Sequence, residues 1–161
     1  MNTSPVEFCD EKETRELEEF LVNRIYAFNA QVTGYFDARL LGGRVRGPSG
    51  ETLGAFNGHT WGGCCVVSNL WVDDGCRGQG LGRLLLQAVE AEAIRRGCAQ
   101  IVLSTHSFQA PAFYEQMGYL RLSVIYGQPK GYADIVFVKR FRPSGRVIVA
   151  GTSCHQNSPA R

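Results

Sequence analysis

A glycine-rich run between a predicted strand and a predicted helix is the first part of this sequence that could bind a ligand. It reads Arg77, Gly78, Gln79, Gly80, Leu81 and Gly82. The first turn of a helix has free backbone N–H groups and partial positive charge, and both attract anions. Glycines remove the Cβ atoms that would keep a phosphate at a distance. The sequence therefore predicts a site for a phosphate-bearing ligand at residues 77–82.

Two common nucleotide motifs do not fit this run. A P-loop needs Lys and then Ser or Thr after its last glycine, whereas Leu81 and Gly82 follow Gly80. A dinucleotide-binding fingerprint that starts at Gly78 needs a third glycine at the position of Arg83. The next predicted strand ends at Ser104-Thr105-His106, without an acidic residue for a ribose. The ligand should therefore be of another class.

The pattern Arg77-x-x-Gly80-x-Gly82 resembles the loop that binds the pyrophosphate of acetyl-CoA in the GNAT superfamily of N-acetyltransferases. Leu70-x-Val72 lies upstream at the family's spacing, and the segment from Ala110 to Tyr119 is similar to a second family block around a tyrosine. The resemblance covers about residues 35–141. It implies acetyl-CoA as co-substrate and implies no metal.

The predicted fold class is α/β, of the GNAT type. It has a mixed, mostly antiparallel and twisted sheet with one splayed parallel strand pair, flanked by helices. The expected strands are 6–9, 35–45 (interrupted at Gly42-Gly43), 52–59, 64–72, 100–105, 120–126 and 132–140, and the expected helices are 10–31, 81–97 and 111–117. On the central helix we expect a buried face of Leu81, Leu84, Leu85, Ala88, Val89 and Ile94, with Glu90 facing away.

Length and composition indicate an ordinary globular protein. The 161 residues are 44% apolar and 20% charged, which predicts a single domain over 1–141 followed by a flexible tail over 142–161. A net charge of +2 gives no reason to expect nucleic acid as a partner, and no apolar run is long enough to predict a membrane span. The N-terminus lacks the pattern of a signal peptide, and the six cysteines form no Cys-x-x-Cys pair. We expect a cytoplasmic protein with reduced cysteines.

The resemblance also implies roles for single residues in cofactor binding. Backbone N–H groups around Leu70, Trp71 and Val72 would face the thioester, and Arg77, Gly78, Gln79, Gly80, Leu81 and Gly82 would hold the pyrophosphate. Ser107, Ala110 and Tyr114 would lie along the pantetheine arm. Ser107 stands where the family usually has Asn, so the resemblance does not carry over the hydrogen bond that the asparagine makes to that arm.

Acetyl transfer to an amine needs an acid for the thiolate and a way to remove a proton from the amine. Tyr114 aligns with the family tyrosine near the sulfur of CoA, so we expect it to be the acid. Some family members carry a glutamate in the strand before the glycine loop, but here that position is Val66. His106 is the candidate base, with Asp73, Asp74, His59 and a chain of waters as alternatives. A covalent route through Cys64 or Cys65 lacks a neighbouring histidine, so direct transfer is preferred.

The acceptor is expected to be a small primary amine, such as an aminoglycoside-type antibiotic of the kasugamycin kind. Candidate residues for its binding are Tyr35, Asp37, Trp61 and Asp73, with Phe36, Trp71, Glu51 and Asp134 as further aromatic or acidic groups. Two alternatives stay open: a protein acetyltransferase that acts on lysine or N-terminal amines, and a binding module that senses acetyl-CoA without transfer. A homodimer is compatible with the resemblance.

Overall fold

A computed structural model describes residues 6–141 of the chain. These residues belong to two compact units, Met1–Phe36 and Asp37–Arg161. The predicted tail over 142–161 lies outside the described residues. None of the described helices has the length and the apolar composition to cross a membrane.

The N-terminal unit contains one long helix, α1 (Glu11–Thr33). Its start is fixed by a capping box: Asp10 accepts from the Glu13 amide (2.8 Å), and the Glu13 carboxylate accepts from the Asp10 amide (3.0 Å). Gly34 ends it in a left-handed conformation (φ 75°). The strand that we expected over Val6–Cys9 is wrong, because these residues form no ladder.

The second unit is built on a six-stranded sheet. Its elements are β1 (Arg39–Arg46), β2 (Thr52–Trp61), β3 (Cys64–Val72), a short 3-10 turn (Asp74–Cys76), α2 (Leu81–Arg95), β4 (Gln100–His106), α3 (Pro111–Gln116), β5 (Leu120–Tyr126) and β6 (Ala133–Arg140). The strand order is β1-β2-β3-β4-β6-β5, in which only β3 and β4 run parallel. The predicted α/β fold class is confirmed, including the helix that crosses between the two parallel strands.

Two boundaries near the start of the sheet differ from the prediction. β1 begins at Arg39 rather than Tyr35, and it continues through Gly42 and Gly43 without a break. The Gly43 position lies against the ring of Phe56 on β2: a Cβ there would be 2.6 Å from that ring. This glycine therefore lets an aromatic ring cross β1, and it does not interrupt the strand.

The buried face of α2 is rotated from the one that we predicted. The buried residues are Leu85, Leu86, Val89 and Ala93, whereas Leu84 and Ile94 are exposed. The prediction is confirmed for Leu85 and Val89 and wrong for Leu84, Ala88 and Ile94. It also missed the fully buried Leu86, which lies on the same face as Leu85 and Val89. The helix instead turns Gly82 toward the core, where a Cβ would be in ordinary contact with Phe113 and Val72.

The same rotation brings Glu90 inward, contrary to the prediction. Its carboxylate accepts a 2.8 Å hydrogen bond from Lys139 of β6, and Lys139 also donates to the Met117 carbonyl (2.9 Å). Lys139 is buried, so the pair is largely removed from water. A buried charge needs its partner, because the loss of one member leaves the other desolvated and unpaired. This ion pair connects α2 to β6.

The two parallel strands separate halfway along their length. β3 and β4 pair from Cys64↔Gln100 to Val67↔Leu103 and no further. At that point the β2–β3 register shifts from Asn57↔Asn69 to Gly58↔Val67, which leaves Ser68 as an extra residue on β3. Such a bulge bends a strand and increases its twist. The rest of β3 therefore diverges from β4, and the backbone groups that face the gap lack a strand partner.

Gly58 makes this bulge possible. A Cβ at position 58 would collide with the Val66 carbonyl oxygen and come within 3.1 Å of the Val67 Cα, and both belong to the backbone. We expect Gly58→Ala to lower the free energy of unfolding by about 2 kcal/mol, because the backbone must shift to accept the methyl group. Thermal or urea unfolding of the purified variants measures this change.

Gly42→Ala is the matched control for that experiment. A Cβ at Gly42 is 3.7 Å from the nearest atom, an ordinary contact, so we expect a change of less than about 0.5 kcal/mol. Equal losses in the two variants would show that the effect at position 58 is general to glycines in this sheet and not specific to the bulge.

Candidate active site

The gap between β3 and β4 opens into a cleft of about 1090 Å³. Its walls come from the ends of both strands, the glycine-rich loop, the first turn of α2 and the helix α3. Among the predicted cofactor residues, those that line it are Leu70, Trp71, Val72, Arg77, Gly78, Gly80, Leu81, Gly82, Ala110 and Tyr114. Residues from two separate parts of the sequence are thus brought to one cavity.

The start of α2 presents free backbone donors to this cleft. Gly80 is the N-cap, in a left-handed conformation (φ 86°), and no side chain caps the helix. The first intrahelical bond runs from the Leu84 amide to the Gly80 carbonyl (3.0 Å), so the amides of Leu81, Gly82 and Arg83 precede it. Such a turn fits a phosphate or pyrophosphate group. The residues present therefore fit the pyrophosphate of acetyl-CoA.

Side chains of the loop fix its shape. The Arg77 guanidinium pairs with Asp74 at 2.6 Å and donates weakly to the Val72 carbonyl (3.4 Å). Gln79 donates to the Gly75 carbonyl (2.9 Å), and Asp73 accepts from the Gly75 amide (2.9 Å). Gln79 and Asp73 do not line the cleft. Their contacts hold the turn that precedes the loop.

Tyr114 lies on α3 at the inner end of the cleft. The residue is 8% exposed, and its ring packs against Phe113 and Phe137 at centroid distances of 5.1 and 5.8 Å. Its hydroxyl makes no hydrogen bond to any residue between 6 and 141. Burial raises the pKa of this phenol above its usual value, so the hydroxyl keeps its proton at neutral pH. A protonated hydroxyl beside a cleft is suited to act as an acid.

His106 ends β4 at the opposite wall and faces Asp134 of β6, its partner in the strand register. His106 Nδ1 lies 3.6 Å from the nearer Asp134 oxygen, beyond hydrogen-bond distance. This nitrogen is buried and has no hydrogen-bond partner in the described part of the chain. Gln109 accepts from the His106 amide (2.9 Å) and from the Thr105 hydroxyl (3.0 Å), and thereby holds the end of β4. Both His106 and Asp134 line the cleft.

Several predicted residues have structural contacts instead of a place on the cleft wall. Ser107 exchanges hydrogen bonds with Ala133: its amide donates to the Ala133 carbonyl (2.8 Å), and its hydroxyl accepts from the Ala133 amide (3.1 Å). Asp37 accepts from the Gly62 amide (3.0 Å) in the β2–β3 turn. Trp61 ends β2 opposite Cys64. Tyr35 belongs to the N-terminal unit. Their roles in binding remain predictions.

The buried cysteines are poor candidates for a covalent route. Neither Cys64 nor Cys65 lines the cleft. Burial raises the pKa of the Cys65 thiol to about 12 and also raises the pKa of the Cys64 thiol. Because the thiolate is the nucleophilic form, these raised pKa values disfavour either thiol as a nucleophile at neutral pH.

Phe108, Gln109 and Ser104 also line the cleft, although no sequence motif singles them out. Phe108 stacks on His106 at a centroid distance of 5.2 Å. Their nearness in sequence to His106 was a usable signal for all three. The sequence offered Asp134 only as one of several acidic groups. Nothing in the sequence indicated that it lies opposite His106.

Comparisons with known proteins agree with this geometry. The family model described as "Acetyltransferase (GNAT) family" matches residues 5–119. The chain is 39% identical over 94 residues to a blasticidin-S acetyltransferase of Streptomyces morookaense, which covers 58% of this chain and 69% of that protein. It is 30% identical over 126 residues to an acetyltransferase of Agrobacterium fabrum, covering 78% of this chain and 92% of that one. A crystal structure of a Bacillus cereus acetyltransferase superposes with a TM-score of 0.73 at 28% identity, over 88% of this chain and all of the other.

The chain therefore belongs to the GNAT family of acetyltransferases. It is an acetyl-transferring enzyme, and the co-substrate used by this family is acetyl-CoA.

The conformation of Gly80 gives a prediction for CoA binding. A residue with a Cβ pays about 1–2 kcal/mol for the left-handed conformation that Gly80 adopts. We expect Gly80→Ala to raise the Kd for CoA about five- to thirtyfold, because the altered loop must return to that conformation to bind. Isothermal titration with CoA measures the affinity.

Gly82→Ala serves as its control. Gly82 has no left-handed φ, and a Cβ there meets Phe113 at 3.6 Å, which is ordinary contact. We expect an affinity within about threefold of the wild type. A loss at Gly82→Ala as large as that at Gly80→Ala would contradict the assignment of the loop conformation to CoA binding.

Proposed function

We propose that this enzyme transfers the acetyl group of acetyl-CoA to a primary amine of a small molecule, in particular an amine-bearing antibiotic. The observation that carries the proposal is the cleft itself. It joins the free amides at the start of α2, the open stretch of β3 and the Tyr114 hydroxyl in one cavity. In this proposal the amides of α2 bind the pyrophosphate, the open stretch of β3 donates to the acyl carbonyl, and the Tyr114 hydroxyl protonates the leaving sulfur.

The reaction needs attack by a neutral amine on the thioester that acetyl-CoA supplies, with formation of a C–N bond and loss of the C–S bond. Amides of β3 beyond Val67, which lack a β4 partner, would donate to the carbonyl oxygen as negative charge develops on it. Tyr114 would give its proton to the departing sulfur. Because burial raises the pKa of this phenol, the proton is present at the pH of the reaction.

His106 is the residue that we assign to removal of the amine proton. It lines the cleft, whereas His59 and Asp73 do not. Histidine is the side chain best suited to accept a proton near neutral pH. Position 66 is a valine and supplies no carboxylate for this role, so in this proposal the proton leaves through His106 or through water in the cleft.

The acceptor class is supported by the relative described as a blasticidin-S acetyltransferase, with which this chain shares 39% identity over 94 residues. N-acetylation removes the positive charge of an amine, and a drug that depends on that charge for binding would be inactivated. Resistance by acetylation is therefore the biological role that we propose.

The proposed acid is tested by Tyr114→Phe. We expect turnover to fall at least about tenfold, because a general acid typically contributes about 10²–10⁴-fold, while acetyl-CoA affinity stays unchanged. The ring of Tyr114 packs in the core and is preserved in this variant, so the fold should be retained. Stopped assays of CoA release, with acetyl-CoA affinity measured in parallel, separate the two effects. Unchanged turnover would remove Tyr114 from the mechanism.

The acceptor is tested by incubating the enzyme with acetyl-CoA and a panel of amines. The panel contains blasticidin S, kasugamycin, kanamycin, spermidine and lysine-containing peptides, and mass spectrometry follows the products. We expect a gain of one acetyl group on at least one of the antibiotics and none on the peptides. Exclusive acetylation of peptides would favour a protein acetyltransferase. No product at all, despite acetyl-CoA binding, would favour a sensor.

A further inference from the structure

The charges that line the cleft are unevenly distributed. Arg77 and Arg83 lie at the end formed by the glycine-rich loop and α2. Among the described residues that line the cleft, Asp134 is the only one with an acidic side chain. A cationic acceptor that enters this cleft thus meets a single carboxylate. That carboxylate belongs to β6 and not to the glycine-rich loop that would hold CoA.

The Asp134 carboxylate is unusually short of partners. The residue is 8% exposed, yet its side chain accepts no hydrogen bond from residues 6–141, and the nearest imidazole nitrogen, His106 Nδ1, is 3.6 Å away. A carboxylate withdrawn from water is costly unless a donor or a cation satisfies it. The Asp134 carboxylate can therefore bind a positively charged ligand in the cleft.

Asp134 also lies on the appropriate face of the sheet. β6 pairs with β4 without a bulge, so residues three apart on β6 point to opposite faces. Phe137 points to the face on which Tyr114 packs, and Asp134 points to the other. The gap between β3 and β4 connects these two faces. An acceptor held by Asp134 would thus approach from the side opposite to Tyr114.

Two half-exposed aromatic rings continue from His106, the imidazole that faces this carboxylate, and the first of them, Phe108, lines the cleft. Phe108 stacks on His106, and Tyr132 meets Phe108 edge-on at a centroid distance of 4.8 Å. Phe108 and Tyr132 are 53% and 52% exposed. Exposed aromatic faces in the neighbourhood of a carboxylate favour an organic cation, by cation–π attraction and by burial of its carbon skeleton.

We propose that Asp134, Phe108 and Tyr132 form the subsite for the acceptor, and that it takes a ring-bearing small molecule with a positively charged amine. Asp134 binds the cationic group, and Phe108 and Tyr132 contact the ring. This inference rests on the proposed acetyl transfer for its biological meaning, since it names the acceptor class of that same site. The binding itself requires no turnover.

The test is a titration with organic cations that cannot be acetylated. Benzyltrimethylammonium is titrated into the CoA-saturated full chain by calorimetry, for the wild type, Asp134→Asn and Glu18→Gln. We expect Asp134→Asn to weaken binding about tenfold, because it removes the charge without changing the shape. Glu18→Gln removes an exposed acidic group that does not line the cleft, and it should bind as the wild type does.

The aromatic part is tested with tetramethylammonium as the ringless probe. The wild type should prefer benzyltrimethylammonium over tetramethylammonium, and Phe108→Ala should lose most of that preference. Asp134→Glu keeps the charge and should retain measurable binding. This comparison keeps the carboxylate testable if Asp134→Asn fails to fold.

Absence of benzyltrimethylammonium binding to the wild type, or equal binding by Asp134→Asn, would overturn the subsite. Neither result depends on CoA release. A failure of the amine panel with an intact Asp134-dependent titration would instead contradict the acetyl transfer and leave the subsite standing.

Discussion

The separation of β3 from β4 beyond the Val67–Leu103 pair is the constraint on which the site depends. In a continuous parallel pair, the backbone groups between the strands would be bonded to each other and closed to a ligand. The extra residue Ser68 bends β3 away, and Gly58 gives the bent backbone the space that a side chain would occupy. Unpaired backbone groups and an opening between the two faces of the sheet follow from this one irregularity.

Around the opening, each wall has its own chemistry. The start of α2 presents amides and nearby arginines, which suit an anion, while the end of β4 and the start of β6 present a carboxylate and aromatic rings, which suit an organic cation. The two walls are held together from behind by the core and by the buried Glu90–Lys139 pair between α2 and β6.

Local patterns in the sequence predicted the parts of the site that are formed by residues close together in the chain. The glycine-rich run before a helix and the segment around Tyr114 were both found in this way. The fold class followed from the family resemblance of these segments. The buried face of α2 was predicted only in part: Leu85 and Val89 are buried, but Leu86 completes the face and the large side chains of Leu84 and Ile94 are exposed. The proximity of His106 to Asp134 depends on the register of β4 with β6, which is set by tertiary packing and has no local signal.

The most direct test of this account is a crystal structure of the protein with CoA bound. We expect the pyrophosphate at the amides of Leu81, Gly82 and Arg83. The thiol should lie in the gap between β3 and β4, within hydrogen-bond distance of the Tyr114 hydroxyl. The thiol end of CoA outside that gap, or a pyrophosphate away from the start of α2, would contradict the account.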